Sequence, residues 1–346
     1  MKSNQNKELR CIQEQIQKYD RYKLTVNLVA ALHWLSTEKK KFKIIGLETK
    51  FRLLSEKNKM ITPDIVLRDI NDEYYFGEIK TSLPQNPTEL AKKLRQIENY
   101  TKEVILAKDS KIKIRPTAIL FVELEDKQRL LQIMSESEYE YLKEKLTLIE
   151  WTQKTSIRFS ADVIFLQKIR GQNIVAEFFE QQQIVPVDVL ETRFLEKGWL
   201  LPIEPPVIYI TEFLLTRIIP VCEEVEIEGK TYYRTTIDEL RNLIIDHYGF
   251  FFDLGEWTDR TIKTSILKEA LIALVEIGIA KPKRETISLV YENEFYVSDI
   301  GRVRGGKDLK LLLARRLCKK EVEKAIRLKR PLLERQEKQK TLDSFL

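Results

Sequence analysis

A chain of 346 residues, 43% of them apolar and with only 11 Gly and 11 Pro, can bury a sizeable core and reads as a globular protein of about two domains plus extensions. Its N-terminus, MKSNQNKELR, lacks the apolar run of a signal peptide, and its most apolar segment, VIYITEFLLTRIIPV, is interrupted by Glu212 and Arg217, which argues against a membrane span. The formal net charge of +6 is unevenly spread: residues 302–346 hold 15 Lys/Arg against 6 Asp/Glu, so the basic excess lies in a C-terminal arm of the kind that contacts nucleic acid.

The three cysteines, Cys11, Cys222 and Cys318, are scattered and odd in number. They suggest neither a disulfide framework nor a thiolate cluster for iron and sulfur, and an intracellular, cytoplasmic protein is expected. Only His33 and His247 are available, so a histidine-based metal site or triad has no support; His33, in an apolar helix, reads as a packed residue.

Residues 5–38 repeat Leu or Ile at three- to four-residue intervals (Leu9, Ile12, Ile16, Leu24, Leu28, Leu32, Leu35) and predict a long helix. FKIIGLETKFRLL, 42–54, reads as a first strand. TPDIVLRDINDEYYFGEIK, 62–80, follows as a hairpin, with Asp69–Glu73 as its turn. Asn86 as cap, Pro87 in the first turn and Glu89 three residues past the cap open a helix whose buried face is marked by Leu90, Leu94, Ile97 and Ile105. PTAILFVEL, 116–124, is a strongly apolar strand, followed by a helical stretch and a strand near 146–152. Helix, hairpin, helix, strand is an α/β order around a mixed sheet.

Beyond about 205 the pattern changes. VIYITEFLLTRII predicts a helix, and EVEIEGKTYYRT a hairpin turning at Glu228-Gly229. Thr236 with Glu239 is a capping-box signature before DELRNLIIDHYG, and TDRTIKTSILKEALIALVEIGI is a third helix stopped by Gly278. The strands TISLVY and EFYV, joined at Glu292-Asn293, would complete a winged helix. Arg260, Lys263 and Lys268 would then start the helix that enters a DNA groove, and Lys281, Lys283 and Arg284 would flank the wing. Winged helices also serve as protein-contact modules.

The hairpin carries the chemistry. Centring its turn on Asn71 sets Arg68 opposite Tyr74, Val66 opposite Phe76 and Asp64 opposite Glu78, with Lys80 on the same face as Glu78. Directly opposed carboxylates repel by about 0.2–1 kcal/mol on an exposed sheet, so a divalent cation, with Lys80 beside it, is expected to offset them. Pro63-Asp64 and Glu78-Ile79-Lys80 resemble the PD and ExK elements of the PD-(D/E)XK, restriction-endonuclease-like nuclease superfamily. Gln96 and Tyr100, four apart on one helix face, resemble the QxxxY pair of its RecB-like branch. The resemblance spans roughly residues 20–150. It implies Mg²⁺ or Mn²⁺ held by Asp64, Glu78 and the Ile79 backbone carbonyl, with Lys80 handling the attacking water or the transition state. Gln96 and Tyr100 would support the site or touch DNA, and no iron–sulfur cluster is expected. A further carboxylate often precedes the PD element; Glu48 is the candidate and Glu38 the fallback. Many members pair as homodimers to cut both strands, although no dimer surface is visible in the sequence.

The chain ends in QKTLDSFL, which resembles the PIP box that docks on the sliding clamp PCNA. Gln339, Leu342 and Phe345 fit its pattern; Leu346 departs from it in the way archaeal versions do. The expected organisation is a nuclease domain over 1–155, a connecting region over 156–204, a winged-helix domain over 205–300, a basic arm over 301–338 and a clamp-binding peptide over 339–346. The expected function is a Mg²⁺-dependent, structure-selective DNA endonuclease brought by PCNA to replication or repair sites. Two alternatives stay open: a clamp adaptor that has kept the fold and lost the activity, and a restriction-type endonuclease that reads sequence through the winged helix.

Overall fold

The computed structural model describes residues 2–56, 59–107, 109, 111–135, 139, 142–156, 161–187, 205–248, 263–283, 294–298 and 309–319. The chain divides into two compact units. One comprises Lys23–Glu204 with His247–Thr261; the other comprises Met1–Tyr22, Pro205–Asp246 and Ile262–Leu346. A single helix, α1 (Lys2–Lys39), contributes to both. From Val26 to Leu32 every residue of α1 is buried, so this stretch packs on all sides, whereas Leu9 is exposed. Among the described residues no helix is long and apolar enough to cross a membrane.

The first unit is an α/β structure on a mixed seven-stranded sheet. In chain order its strands are β1 (Phe42–Leu47), β4 (Ile65–Asp69), β5 (Tyr74–Lys80), β8 (Thr117–Glu123), β9 (Leu146–Ser156), β10 (Ala161–Arg170) and β11 (Gln183–Pro186), and they lie side by side in that same order. β5, β8 and β9 run parallel and the other pairings are antiparallel. A small second sheet joins β2 (Phe51–Leu53), β3 (Met60–Ile61), β6 (Val104–Leu106) and β7 (Lys113–Ile114) in the order β3-β2-β6-β7. The crossover from β5 to β8 contains α2 (Pro87–Asn99), as a parallel pairing requires.

The β4–β5 hairpin has the expected register, with Val66 opposite Phe76 and Arg68 opposite Tyr74. Asp69 sets it. Its Oδ1 accepts the Asn71 and Glu73 N–H groups at 2.8 and 3.0 Å, and its Oδ2 accepts the Tyr75 hydroxyl at 2.7 Å. Asn86 caps α2 by accepting from the Thr88 N–H at 2.9 Å, and Leu90, Leu94 and Ile97 are buried beneath it. Phe51 and Phe76 stack 4.5 Å apart, and Phe76 meets Tyr100 edge-on, inside one continuous core.

Four expectations need correction here. Residues 42–54 are two strands in different sheets, because the backbone turns through the left-handed region at Glu48 (φ 47°). Ile105 belongs to β6, since α2 ends at Asn99. The region 156–204, expected as a connection, supplies β10, β11 and the short α3 segment Ile174–Phe178, extending the same sheet. The cysteines are not all free: Cys11 and Cys318 form a disulfide within the second unit, and Cys222 is free and buried. An intracellular location therefore draws no support from cysteine usage.

The second unit contains α4 (Val207–Phe213), α5 (Ile237–Tyr248), α6 (Thr264–Glu276) and a helix over 309–319. Its sheet, β12 (Glu223–Ile227), β13 (Lys230–Thr235), β14 (Ala280–Pro282) and β15 (Phe295–Ser298), has the order β12-β13-β15-β14. The β12–β13 hairpin turns at Glu228 and Gly229, both at positive φ (54° and 69°), as a two-residue turn of this hand demands. The capping box is present: Thr236 Oγ1 accepts from the Glu239 N–H at 3.1 Å and Glu239 Oε2 from the Thr236 N–H at 3.3 Å. Gly278 follows α6 at φ 78°. The wing strand expected at 286–291 lies outside the described residues; β15 pairs with β13 and β14.

Candidate active site

Strand β5 is buried almost throughout, and Gly77 lets it lie close against its neighbours. A Cβ there would meet Ile65 Cγ2 at 2.4 Å and Phe121 Cε2 at 3.3 Å. The next residue, Glu78, is 2% exposed, and a buried carboxylate must be paired or hydrogen-bonded. Both oxygens are. Oε1 accepts from the Lys80 ammonium, and Oε2 accepts the Tyr100 hydroxyl at 2.7 Å. Gln96 Nε2 donates to that hydroxyl at 3.1 Å, Lys93 Nζ donates to Gln96 Oε1 at 3.3 Å, and the Thr62 carbonyl lies 3.2 Å from the Tyr100 oxygen. Tyr100 itself is fully buried.

Asp64 comes one residue before β4. Its Oδ2 accepts the Ile79 N–H at 2.6 Å and stands 4.0 Å from the Lys80 ammonium. A strand residue's N–H and C=O point to the same edge, so the Ile79 carbonyl is turned toward Asp64 as well. Glu48 completes the group. Its backbone N–H donates to the Asp64 carbonyl at 3.2 Å, and its carboxyl is hydrogen-bonded to that of Asp64. A left-handed conformation in a non-glycine residue is the kind of strain that clusters at functional sites.

Burial, followed by the neighbouring Glu78 charge, raises the Asp64 pKa to about 6 against the relief offered by Lys80. Burial, then the Asp64 charge and hydrogen bond, raises Glu48 to about 8. At neutral pH Glu48 therefore keeps a proton and shares it with Asp64. Burial and the Glu78 charge hold the Tyr100 hydroxyl far above its ordinary pKa, so it keeps the proton that it donates to Glu78 while its oxygen accepts from Gln96. The mutual repulsion of these carboxyls is thus relieved by one ammonium and one retained proton. The Asp64 and Lys80 side chains are 19% and 16% exposed, which leaves an open edge.

Among the described residues no group of three or more His, Cys, Asp and Glu side chains forms a metal-holding set. The fit to a hard cation rests on the Asp64 and Glu78 oxygens and the Ile79 carbonyl, and one or two carboxylates is what a magnesium site ordinarily takes from protein. Glu38 is exposed near the end of α1. Sequence reasoning missed the brace on the loop leaving β5. Asp126 Oδ2 accepts the Leu83 N–H at 2.5 Å, and Arg129 donates to the Pro84 carbonyl. Nothing in the local pattern links residues so far apart.

In the second unit Lys263 precedes α6 and Lys268 lies on it. Lys281 Nζ sits 4.4 Å over the Tyr232 ring, and Lys283 pairs with Glu294 at 2.8 Å. Arg260, Arg284, Gln339, Leu342, Phe345 and Leu346 lie outside the described residues.

A scan against protein-family models, a search of curated proteins and a search of solved structures each return no match to this chain.

Proposed function

We propose that the chain is a metal-dependent DNA phosphodiester hydrolase of the PD-(D/E)XK type, tethered to a PCNA-like sliding clamp by its C-terminal peptide. The observation that carries this reading is the convergence of Asp64, Glu78 and Lys80 on one strand edge, with Glu78 locked by the Tyr100–Gln96 pair. Asp64, Glu78 and the Ile79 carbonyl would hold Mg²⁺ or Mn²⁺. Such an ion supplies charge neutralisation at the phosphate and water of lowered pKa. Lys80 holds a cation and hydrogen-bond donor where charge grows on the phosphoryl oxygens. Tyr100 fixes the carboxylate plane of Glu78, and Glu48 carries the proton that must leave when the acidic pair ionises fully.

The winged helix and basic arm would grip duplex DNA, and clamp tethering would raise the local concentration of DNA ends and branches enough for weak affinity to suffice. Incubation of branched and linear DNA with the protein and Mg²⁺ or Mn²⁺ tests the reading. Cutting should vanish in Asp64→Ala, Glu78→Ala and Lys80→Ala; undiminished cutting in all three ends the assignment. If the wild type cuts nothing, the clamp-adaptor alternative replaces it. Co-elution with PCNA, lost on deleting residues 339–346, tests the tether separately.

A further inference from the structure

Two cavities flank α2, and their charge differs. The larger, about 820 Å³, is lined by Glu56, Glu98 and Glu103 as well as Lys102, Arg115 and Lys145, so its charges cancel. The smaller, about 450 Å³, lies between β3 and α2 and has Lys59, Lys92 and Arg95 on its walls with no acidic residue among the lining side chains. Lys59 pairs with Glu56 at 2.7 Å. Lys92 and Arg95 lie on the solvent-facing side of α2, opposite its buried leucines. Met60, next to the buried Ile61, is 43% exposed in the same groove. The inner wall is made by Thr62, Gln96 and Tyr100, the residues that hydrogen-bond one another and reach Glu78. The groove therefore ends one hydrogen bond from the proposed reaction centre.

We propose that this groove seats one polynucleotide strand next to the phosphate to be cut, Lys92 and Arg95 holding backbone phosphates and Met60 lying under a base. The assignment rests on the hydrolase reading and specifies its substrate. A cavity of this size falls within the ordinary range for small ligands, about 300–1,000 Å³, which admits a nucleotide or two of a single strand. A cationic groove that tracks the backbone is how single strands are bound without sequence preference, and the polarisable thioether of Met60 makes a favourable contact with an aromatic ring such as a base.

Fluorescence anisotropy of a labelled 20-mer oligothymidine with the full-length protein in EDTA, over a salt series, tests the groove apart from cutting. For Lys92→Glu with Arg95→Glu, the slope of log affinity against log salt should fall by about 1.4, the amount expected for two lost phosphate contacts on a single strand. Met60→Ala should weaken binding several-fold and leave the slope unchanged. In the cleavage assay the double variant should raise KM at least tenfold and keep kcat within twofold. An unchanged slope and KM overturns the groove, as does an equal or larger loss on blunt duplex of the same length. Protein that binds the oligomer with the wild-type slope, loses it in the double variant, and cuts no DNA with Mg²⁺ or Mn²⁺ retains the groove and refutes the hydrolase. Both sites are exposed, and circular dichroism with thermal melting confirms that the variants fold.

Discussion

Glu48 is the residue whose titration is most informative. Its pKa of about 8 in the folded chain stands against about 4.3 in an unfolded one, so over that interval the folded state binds a proton that the unfolded state has lost. Its contribution is fully present below about pH 4.3 and is lost as pH rises to about 8. Glu48→Gln, permanently neutral, should flatten the decline; urea unfolding at pH 5, 7 and 9 without metal checks this, and parallel curves for the two proteins would refute it. Because the carboxyls proposed as ligands must ionise to take a cation, apparent Mg²⁺ affinity should climb between about pH 6 and 8 and level off above, as titration calorimetry would measure. Tyr100→Phe removes the hydroxyl from a buried carboxylate oxygen and should cost about 1.5–3 kcal/mol in stability, together with most of the cutting activity. Retention of both in Tyr100→Phe would show that Glu78 does not need that donor.

At the scale of elements, the hairpin and its partner strand set the site. Gly77 is the position where β5 touches β4 too closely for a side chain. Its virtual Cβ collides with the branched Cγ2 of Ile65, next to Asp64. Gly77→Ala should destabilise by about 1–3 kcal/mol through overpacking and reduce cutting by shifting the start of β4; thermal melting alongside the cleavage assay measures both. A melting temperature equal to that of the parent would mean that the strands separate without cost. The hairpin register was legible because Asp69, Asn71 and Asp72 are turn residues, and centring the turn on Asn71 fixes the cross-strand pairs of the two apolar runs that flank it. The division of 42–54 was not, because an apolar run carries no mark of the left-handed turn at Glu48, which is stabilised by the distant Asp64 carbonyl. β10 and β11 escaped notice for a similar reason. Their mixed polar pattern becomes strand through pairing, β10 with β9 and β11 with β10, rather than through local preference.

For the whole molecule the disulfide has the widest consequence. Cys11 and Cys318 are 307 residues apart in sequence and bonded within one unit. Closing a loop of that length restricts the unfolded chain, and losing the bond should cost about 2–5 kcal/mol. Cys318→Ser, or a thiol reductant on the parent, should lower the melting temperature of this unit, and thiol counting on the native, unreduced protein should find no more than the buried Cys222 after unfolding. Three reactive thiols at that stage would exclude the bond.

The sequence by itself determined the α/β order, the register of the β4–β5 hairpin, the shared helix face of Gln96 and Tyr100, and the capping box at Thr236–Glu239. All of these follow from short-range rules: two-residue alternation in strands, 3.6-residue periodicity in helices and turn chemistry. Only the tertiary structure decided that Tyr100 grips Glu78, that Glu48 joins Asp64, that a cationic groove opens beside them and that two remote cysteines meet. Those contacts link segments far apart along the chain, and it is the packing of the sheet against α2, and of α1 near Cys11 against the helix over 309–319 in the second unit, that brings their side chains into range.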